Sequence, residues 1–159
     1  MNKPVQGDLH AASFRFAVIA SRFNDVITKR LVDGAIDCLA RHGADEKQID
    51  VYICPGAWEL PLVAKKVLDG RTHDALICLG AVIRGETPHN EYIASEVTKG
   101  ISQLSLAFGI PISLGVLTTN TLEQALERAG LKHGNKGWEA ALSALEMADL
   151  LRKIGGVGA

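Results

Sequence analysis

Four short apolar runs punctuate the chain, at Phe14–Ala20, Val51–Cys54, Ala75–Val82 and Ile112–Leu117. Three of them are almost unbroken in apolar residues, the pattern of strands covered on both faces. The first carries Arg15 near its start, where a strand end meets water. Longer segments of helical period lie between and after the runs and predict helices over 25–41, 58–69, 90–108, 121–129 and 135–154. In the third of these, Ile93, Val97, Ile101, Leu104 and Phe108 fall on one helix face. Thr121 with Gln124 supplies a capping box, Gly130 a stop and Asn135 a further N-cap. Strand–helix alternation predicts a parallel sheet with right-handed crossovers. The fold class is α/β: a small four-stranded sheet in three α/β/α layers, with helices on both faces. Residues 1–159 read as one domain, with a polar arm at 1–12 and a loose tail at 155–159.

The last predicted helix has an unusual face. Its polar residues Glu139, Ser143, Glu146, Asp149 and Lys153 make a narrow stripe. Trp138, Leu142, Leu145, Met147, Leu150 and Leu151 spread over a wide apolar arc. Either the helix is wedged deeply against the sheet, or the arc is a subunit interface. The width of the arc favours the interface.

Composition narrows the function classes. Seventeen basic against eighteen acidic residues leave a net charge of −1, with no basic block to meet a nucleic-acid backbone or an anionic membrane. The 47% of hydrophobic residues is enough for a core. No apolar run approaches the ~18 residues of a membrane span, and the first residues lack the apolar stretch of a signal peptide. Cys38, Cys54 and Cys78 are widely spaced and read as buried thiols of a reducing cytosol. The expected location is cytoplasmic, with no nucleic-acid or membrane partner.

Ligands of an open α/β sheet bind outside the carboxyl ends of the strands. The segments there are Ser21-Arg22-Phe23-Asn24, then Pro55-Gly56-Ala57-Trp58-Glu59, then Arg84 through Glu91, and Thr118-Thr119-Asn120. Aromatic rings, a histidine, carboxylates and hydroxyls suit a flat, hydroxylated ligand. Gly80 through Thr87 resembles a phosphate loop with Glu86 in place of lysine, which disfavours a nucleoside triphosphatase. Two readings of Gly85-Glu86-Thr87 stay open: a nest for one phosphate at a helix start, or an ordinary turn. His89 beyond it is either a proton carrier or a solvated side chain. Phe23 is a stacking platform or a core plug, and Trp58 reads as packing. Glu59, Arg128 and Lys136 have ordinary roles open to them as helix-end or solvated charges. No histidine or cysteine cluster has metal-ligand spacing, so no metal is expected. A G-x-S-x-G nucleophile elbow is absent. The acidic residues of a phospho-acceptor receiver and the phosphate loop of a flavodoxin are missing as well.

Taken together, these segments resemble the lumazine synthase family. The matching stretches are Ala20–Asn24, Pro55–Pro61, Gly80–His89, Gly115–Thr119, Glu123–Gly130 and Gly134–Gly137, followed by Glu139-Ala140-Ala141 and Ala144-Leu145-Glu146-Met147. The resemblance implies a flavodoxin-like fold and a cofactor-free transferase of riboflavin biosynthesis. Its reaction condenses 5-amino-6-ribitylaminouracil with 3,4-dihydroxy-2-butanone 4-phosphate to 6,7-dimethyl-8-ribityllumazine. By resemblance, Phe23, Asn24, Ala57, Trp58, Glu59, Val82, Ile83 and Leu114 line the pyrimidine and ribityl site. Gly85, Glu86, Thr87 and a neighbour's Arg128 hold phosphate, and the Glu86 carboxylate is expected to face away from it. His89 moves protons, and Lys136 and Glu139 support the site, Glu139 as an orienter of His89. The family forms homopentamers with sites between subunits. Some members build a shell of sixty subunits, which the short loop at 131–137 permits, and riboflavin synthase is a further partner. The arm is expected to add a strand to a neighbour's sheet. Two positions depart from the family pattern: Asn90 stands where an aromatic residue is usual, and Leu114 where phenylalanine is frequent. They keep open a shell-forming or flavin-binding relative with weakened catalysis. An unrelated phosphate-ester enzyme is the third class.

Overall fold

The computed structural model describes residues 1–130 and 134–156. The expectations for the loop at 131–137 and the tail at 155–159 rest largely on residues 131–133 and 157–159, which lie outside the described residues. Four strands, β1 (Phe16–Ser21), β2 (Ile49–Cys54), β3 (Ala75–Ile83) and β4 (Ile112–Thr119), form a parallel sheet in the order β2-β1-β3-β4. The helices are α1 (Asp25–Arg41), α2 (Leu60–Asp69), α3 (His89–Phe108), α4 (Leu122–Arg128) and α5 (Lys136–Ile154).

Strand alternation divides the core in two. Phe16, Val18 and Ala20 of β1 join Ile77 and Leu79 of β3 against Leu31 and Leu39 of α1 and Ala141 and Leu145 of α5. Ala17, Ile19, Leu76 and Cys78 point the other way, against Leu60 and Ala64 of α2 and Val97 and Ile101 of α3. The result is the three-layer α/β/α, flavodoxin-like arrangement that the alternation predicts.

Local signals set most boundaries. α1 has the expected bounds. The helix expected from residue 58 opens instead as a 3-10 turn, Ala57–Glu59, before α2, whose first turn accommodates Pro61. The Thr121 hydroxyl accepts from the Gln124 N–H at 3.1 Å, but the Gln124 side chain reaches back to the Asn120 N–H rather than to that of Thr121. Asn135 caps α5 by accepting from the Gly137 and Trp138 N–H groups, and its amide also donates to the carbonyls of Arg30 and Ala129. One side chain thereby ties α1, the end of α4 and α5 together.

Two expectations need adjustment. Only β1 and β3 are buried along their length. β2 lies at one edge with Val51, Tyr52 and Ile53 exposed, and β4 at the other edge leaves Leu114 exposed. Apolar runs at sheet edges get cover on both faces only if something outside the chain supplies it. The arc on α5 is the second case. Leu145 is buried, and Trp138, Leu142, Leu150 and Leu151 are half-buried, leaving Met147 exposed. Small residues on the buried stripe, Gly137, Ala140, Ala141, Ala144 and Ala148, bring α5 down onto α1 and the sheet. Part of the arc is consumed inside the chain, and the half-buried and exposed remainder stays available to a subunit interface. The outer side of α5 also carries part of the arm: the Asp8 N–H donates to Asp149 Oδ2 at 2.7 Å, and Lys153 Nζ donates to the Gln6 carbonyl.

At the amino ends of the strands, His73 Nε2 and the Arg15 guanidinium donate to Asp50 Oδ2 at 2.7 and 3.0 Å. The His73 bond first, and Arg15 after it, hold the Asp50 carboxyl below its ordinary value of 3.8. The three cysteines are buried and free, and burial pushes the thiols of Cys38 and Cys78 up to about 11 and about 12.

A methyl group on Gly137 would meet the Leu31 carbonyl, which is backbone and cannot give way. Gly137→Ala is expected to destabilise the protein by about 3 kcal/mol, read as a lower denaturation midpoint. An unchanged midpoint would show that α5 is free to shift. Because the folded Asp50 pKa is depressed, its contribution is present above pH 3.8 and fades as pH falls through the lower folded value. Asp50→Asn is therefore expected to be less stable than wild type at neutral pH, with the gap closing in acid. A pH-independent gap in urea titrations would assign the loss to packing instead.

Candidate active site

The strand order reverses between β1 and β3, which opens a crevice at their carboxyl ends. A cavity of about 380 Å³ lies there. Phe23 and Asn24 enter it from the loop after β1, and Gly56, Ala57 and Trp58 from the segment after β2. Val82 and Ile83 end β3, Gly85 and Thr87 belong to the turn after it, and His89, Asn90 and Ile93 come from the start of α3.

Backbone bonds hold this mouth in shape. The Arg22 and Phe23 N–H groups donate to the carbonyls of Cys54 and Pro55 at 2.7 and 2.9 Å, lacing the first two loops together. Asn24 takes the left-handed conformation (φ 62°), which asparagine tolerates better than most residues. It leaves α1 without a side-chain cap and instead sends its amide across the crevice to the Ala81 carbonyl at 3.1 Å. The Arg84 N–H donates to the Thr119 carbonyl at 2.9 Å, fixing the third loop to the fourth.

The aromatic rings are left free by this lacing. Phe23 is 72% exposed and Trp58 is 60% exposed, so neither closes the core. The packing role expected of Trp58 is corrected: within the chain it is a rim residue. Two apolar faces flanking a crevice are suited to a flat ring. Ala57 is buried, and the half-buried Glu59 has one carboxylate oxygen sealed from water with no hydrogen-bond partner in the structure. That oxygen lies beside Gly56, 3.3 Å from where a methyl group on the glycine would stand. Burial, with the Glu59 charge as the next cause, pushes up the Cys54 thiol, which is therefore not an activated nucleophile.

The turn after β3 is open. Residues 84–89 are exposed, and nothing lies within 4 Å of a methyl group built on Gly85. α3 starts at His89 behind Pro88 with no side-chain cap; the Glu91 N–H donates to the Pro88 carbonyl at 3.0 Å, which leaves the His89 and Asn90 N–H groups to an anion. Gly85 and Thr87 line the cavity and Glu86 does not.

The remaining sequence-predicted residues sit elsewhere in the chain. Leu114, Lys136 and Glu139 line a separate groove of about 460 Å³ between β4 and α5. There Lys136 Nζ pairs with Glu139 Oε2 at 3.0 Å, so Glu139 does not orient the His89 of its own chain. Arg128 ends α4, exposed, and borders neither cavity. Sequence reasoning missed Gly56 and Ile93 as wall residues. Gly56 stood inside a strand-end segment, and Ile93 read as ordinary helix core because its face serves both core and cavity. Among the described residues no group of three or more His, Cys, Asp or Glu is placed to hold a metal, and no helix is long and apolar enough to cross a membrane.

Comparison with known proteins agrees with this arrangement. The family profile described as 6,7-dimethyl-8-ribityllumazine synthase matches residues 13–152. A 6,7-dimethyl-8-ribityllumazine synthase of Syntrophus aciditrophicus is 60% identical over 149 residues, covering 94% of this chain and 97% of that protein. The enzyme of the same name from Chlorobium limicola is 59% identical over 152 residues, covering 96% and 98%, and that of Chloroherpeton thalassium is 55% identical over the same length. With this identity sustained from end to end, and strand-end loops converging on one crevice, the chain belongs to the 6,7-dimethyl-8-ribityllumazine synthase family.

Proposed function

We propose that the cavity at the β1–β3 crevice binds 5-amino-6-ribitylaminouracil beside 3,4-dihydroxy-2-butanone 4-phosphate and condenses them to 6,7-dimethyl-8-ribityllumazine, phosphate and water. The observation that carries the assignment is the convergence of Phe23, Asn24, Ala57, Trp58, Val82, Ile83, Gly85, Thr87 and His89 on that one cavity. Phe23 stacks on the pyrimidine, and the backbone of Val82 and Ile83 reads its edge. Asn24, Ala57 and Glu59 face the ribityl chain. The open turn at Gly85, with the hydroxyl of Thr87 and the N–H groups at the start of α3, receives the phosphate. Glu86 contributes its backbone, and its side chain stays outside the cavity.

The bonds form and break between the two substrates themselves. The arylamine attacks the ketone and an imine forms between the two substrates with loss of water. Phosphate leaves by elimination, and ring closure releases the second water. Each step moves a proton, and His89 at the cavity wall is the group suited to carry it. Holding both substrates in one crevice makes the first step effectively unimolecular.

Arg128, Leu114, Lys136 and Glu139 do not share the cavity of their own chain. This supports a site completed by a neighbouring copy, whose Arg128 pairs with the phosphate while Leu114, Lys136 and Glu139 close the opposite wall. The exposed apolar residues of β2 and the exposed Leu114 support the same self-association, with a homopentamer as the unit, a sixty-subunit shell as a further assembly and riboflavin synthase as a partner. The arm at 1–12 then pairs with a neighbour's β2 edge, and the whole chain acts as one cytoplasmic unit.

Mixing the protein with both substrates and following lumazine fluorescence tests the assignment; a rate no faster than the protein-free control would sink it. His89→Ala is expected to slow turnover by about ten- to a thousandfold, and near-normal rates would remove His89 from proton transfer. Arg128→Ala is expected to raise KM for the butanone phosphate by at least about tenfold while sparing that for the pyrimidine. An unchanged KM would leave the phosphate to the turn alone.

A further inference from the structure

Positions 90, 93, 97, 101, 104 and 108 of α3 share one face. Ile93, Val97, Ile101, Leu104 and Phe108 build the core beneath α2 and α3. The head of the same stripe is Asn90, an amide where the pattern calls for a hydrocarbon. It is 8% exposed, and its Oδ1 is sealed from water with no hydrogen-bond partner in the structure. Yet Asn90 borders the cavity of the candidate active site. Oδ1 is closed to the cavity as well as to bulk water, but the amide Nδ2 is neither sealed nor partnered, and a donor left free on a cavity-lining side chain marks a place for a ligand atom.

The chemistry of the amide limits what that atom is. Rotation about its last bond exchanges oxygen and nitrogen, so the group can offer the cavity either an acceptor or a donor. A hydroxyl, which both donates and accepts, complements either orientation; a carbonyl or an ammonium complements one. A second unmet group lies close by. Glu59 Oε2, sealed and without a partner, sits beside the cavity residue Gly56, and α3 packs against the 3-10 turn that carries Glu59, but Glu59 does not itself line the cavity. A carboxylate only accepts. A free amide on the cavity wall calls for a ligand segment bearing hydroxyls.

We propose that Asn90 is a specificity residue of this chain, whose amide hydrogen-bonds a hydroxyl of the ribityl chain and selects the hydroxylated pyrimidine over analogues that lack it. The proposal rests on the condensation reading above. Its energetic logic is that of a site built to hydrogen-bond a hydroxyl: an analogue without the hydroxyl leaves the buried amide unpaired.

The test compares wild type with Asn90→Leu, which keeps the size and removes the amide. Steady-state kinetics with each substrate varied in turn is expected to show KM for ribitylaminouracil raised about tenfold. KM for the butanone phosphate and kcat stay within about threefold. A pyrimidine carrying a hydroxyl-free five-carbon chain binds both proteins equally, by calorimetry. The melting temperature does not fall, because the substitution removes an unmet buried group and creates none. An unchanged KM for ribitylaminouracil overturns the assignment, as does a loss of affinity that the hydroxyl-free analogue shares. A lower melting temperature with both KM values raised makes Asn90 structural and overturns it too. If Asn90→Leu does not fold, Asn90→Ala carries the same comparison. Wild-type turnover is read first: its absence overturns the condensation reading, and calorimetry of ribitylaminouracil on wild type and Asn90→Leu then decides the role of Asn90 separately.

Discussion

β1 pairs in parallel with β2 on one side and with β3 on the other. Both central strands are buried, so their backbone groups have no water to turn to and must bond each other. This ladder fixes where the chain reverses its direction across the sheet. At the reversal, the connection after β1 and the connection after β3 diverge to opposite faces, and a crevice remains. The proposed chemistry depends on that crevice. The Asn24 amide bridges it, and the loops on each side are laced to their neighbours by backbone bonds from Arg22, Phe23 and Arg84. A mouth held by backbone leaves side chains free for a ligand. Phe23 and Trp58 therefore stand exposed, and the turn at Gly85 is unobstructed.

The second constraint is close approach on the other side of the sheet. α5 lowers an alanine-rich stripe onto α1 and β4, with Gly137 over the Leu31 backbone and Gly115 beneath Ala140. Asn135 clamps the start of that helix to α1 and to the end of α4. The packing is tight where the chain serves itself and incomplete at the sheet edges, where Val51, Tyr52, Ile53 and Leu114 remain exposed. The same incompleteness separates His89 from Arg128, Lys136 and Glu139. Under the proposed association with further copies, the exposed edges gain cover and the separated residues join one site.

Polar atoms that folding alone would not select lie next to the cavity. Glu59 Oε2 and Asn90 Oδ1 are sealed without partners, one beside a glycine and the other heading a hydrocarbon stripe. A fold optimised only for stability would fill both places with apolar side chains. Local violations of packing logic concentrate at functional sites, and Asn90 borders the crevice that topology creates.

The layered architecture and nearly all the elements were legible in the chain's local pattern. Period-2 and period-3.6 hydrophobicity are local properties, and the caps at Thr121 and Asn135 act within a few residues. The strand-end segments carried the family resemblance for the same reason: ligand-contacting residues in this architecture lie in short contiguous stretches. Only the tertiary structure decided which strands lie at the edges. An apolar run reads alike whether its second face is covered by a helix of its own chain or by nothing, so Val51–Ile53 looked like buried core. Nor is the fate of the α5 arc local, since it depends on how closely Gly137 and the alanines let the helix descend. The separation of Glu139 from His89 and the exposure of Trp58 are likewise set by strand order and loop lacing. Asn90 shows the limit most clearly: its place on the helix face is written in the sequence, but its burial against a cavity exists only once α3 is laid across the end of β3.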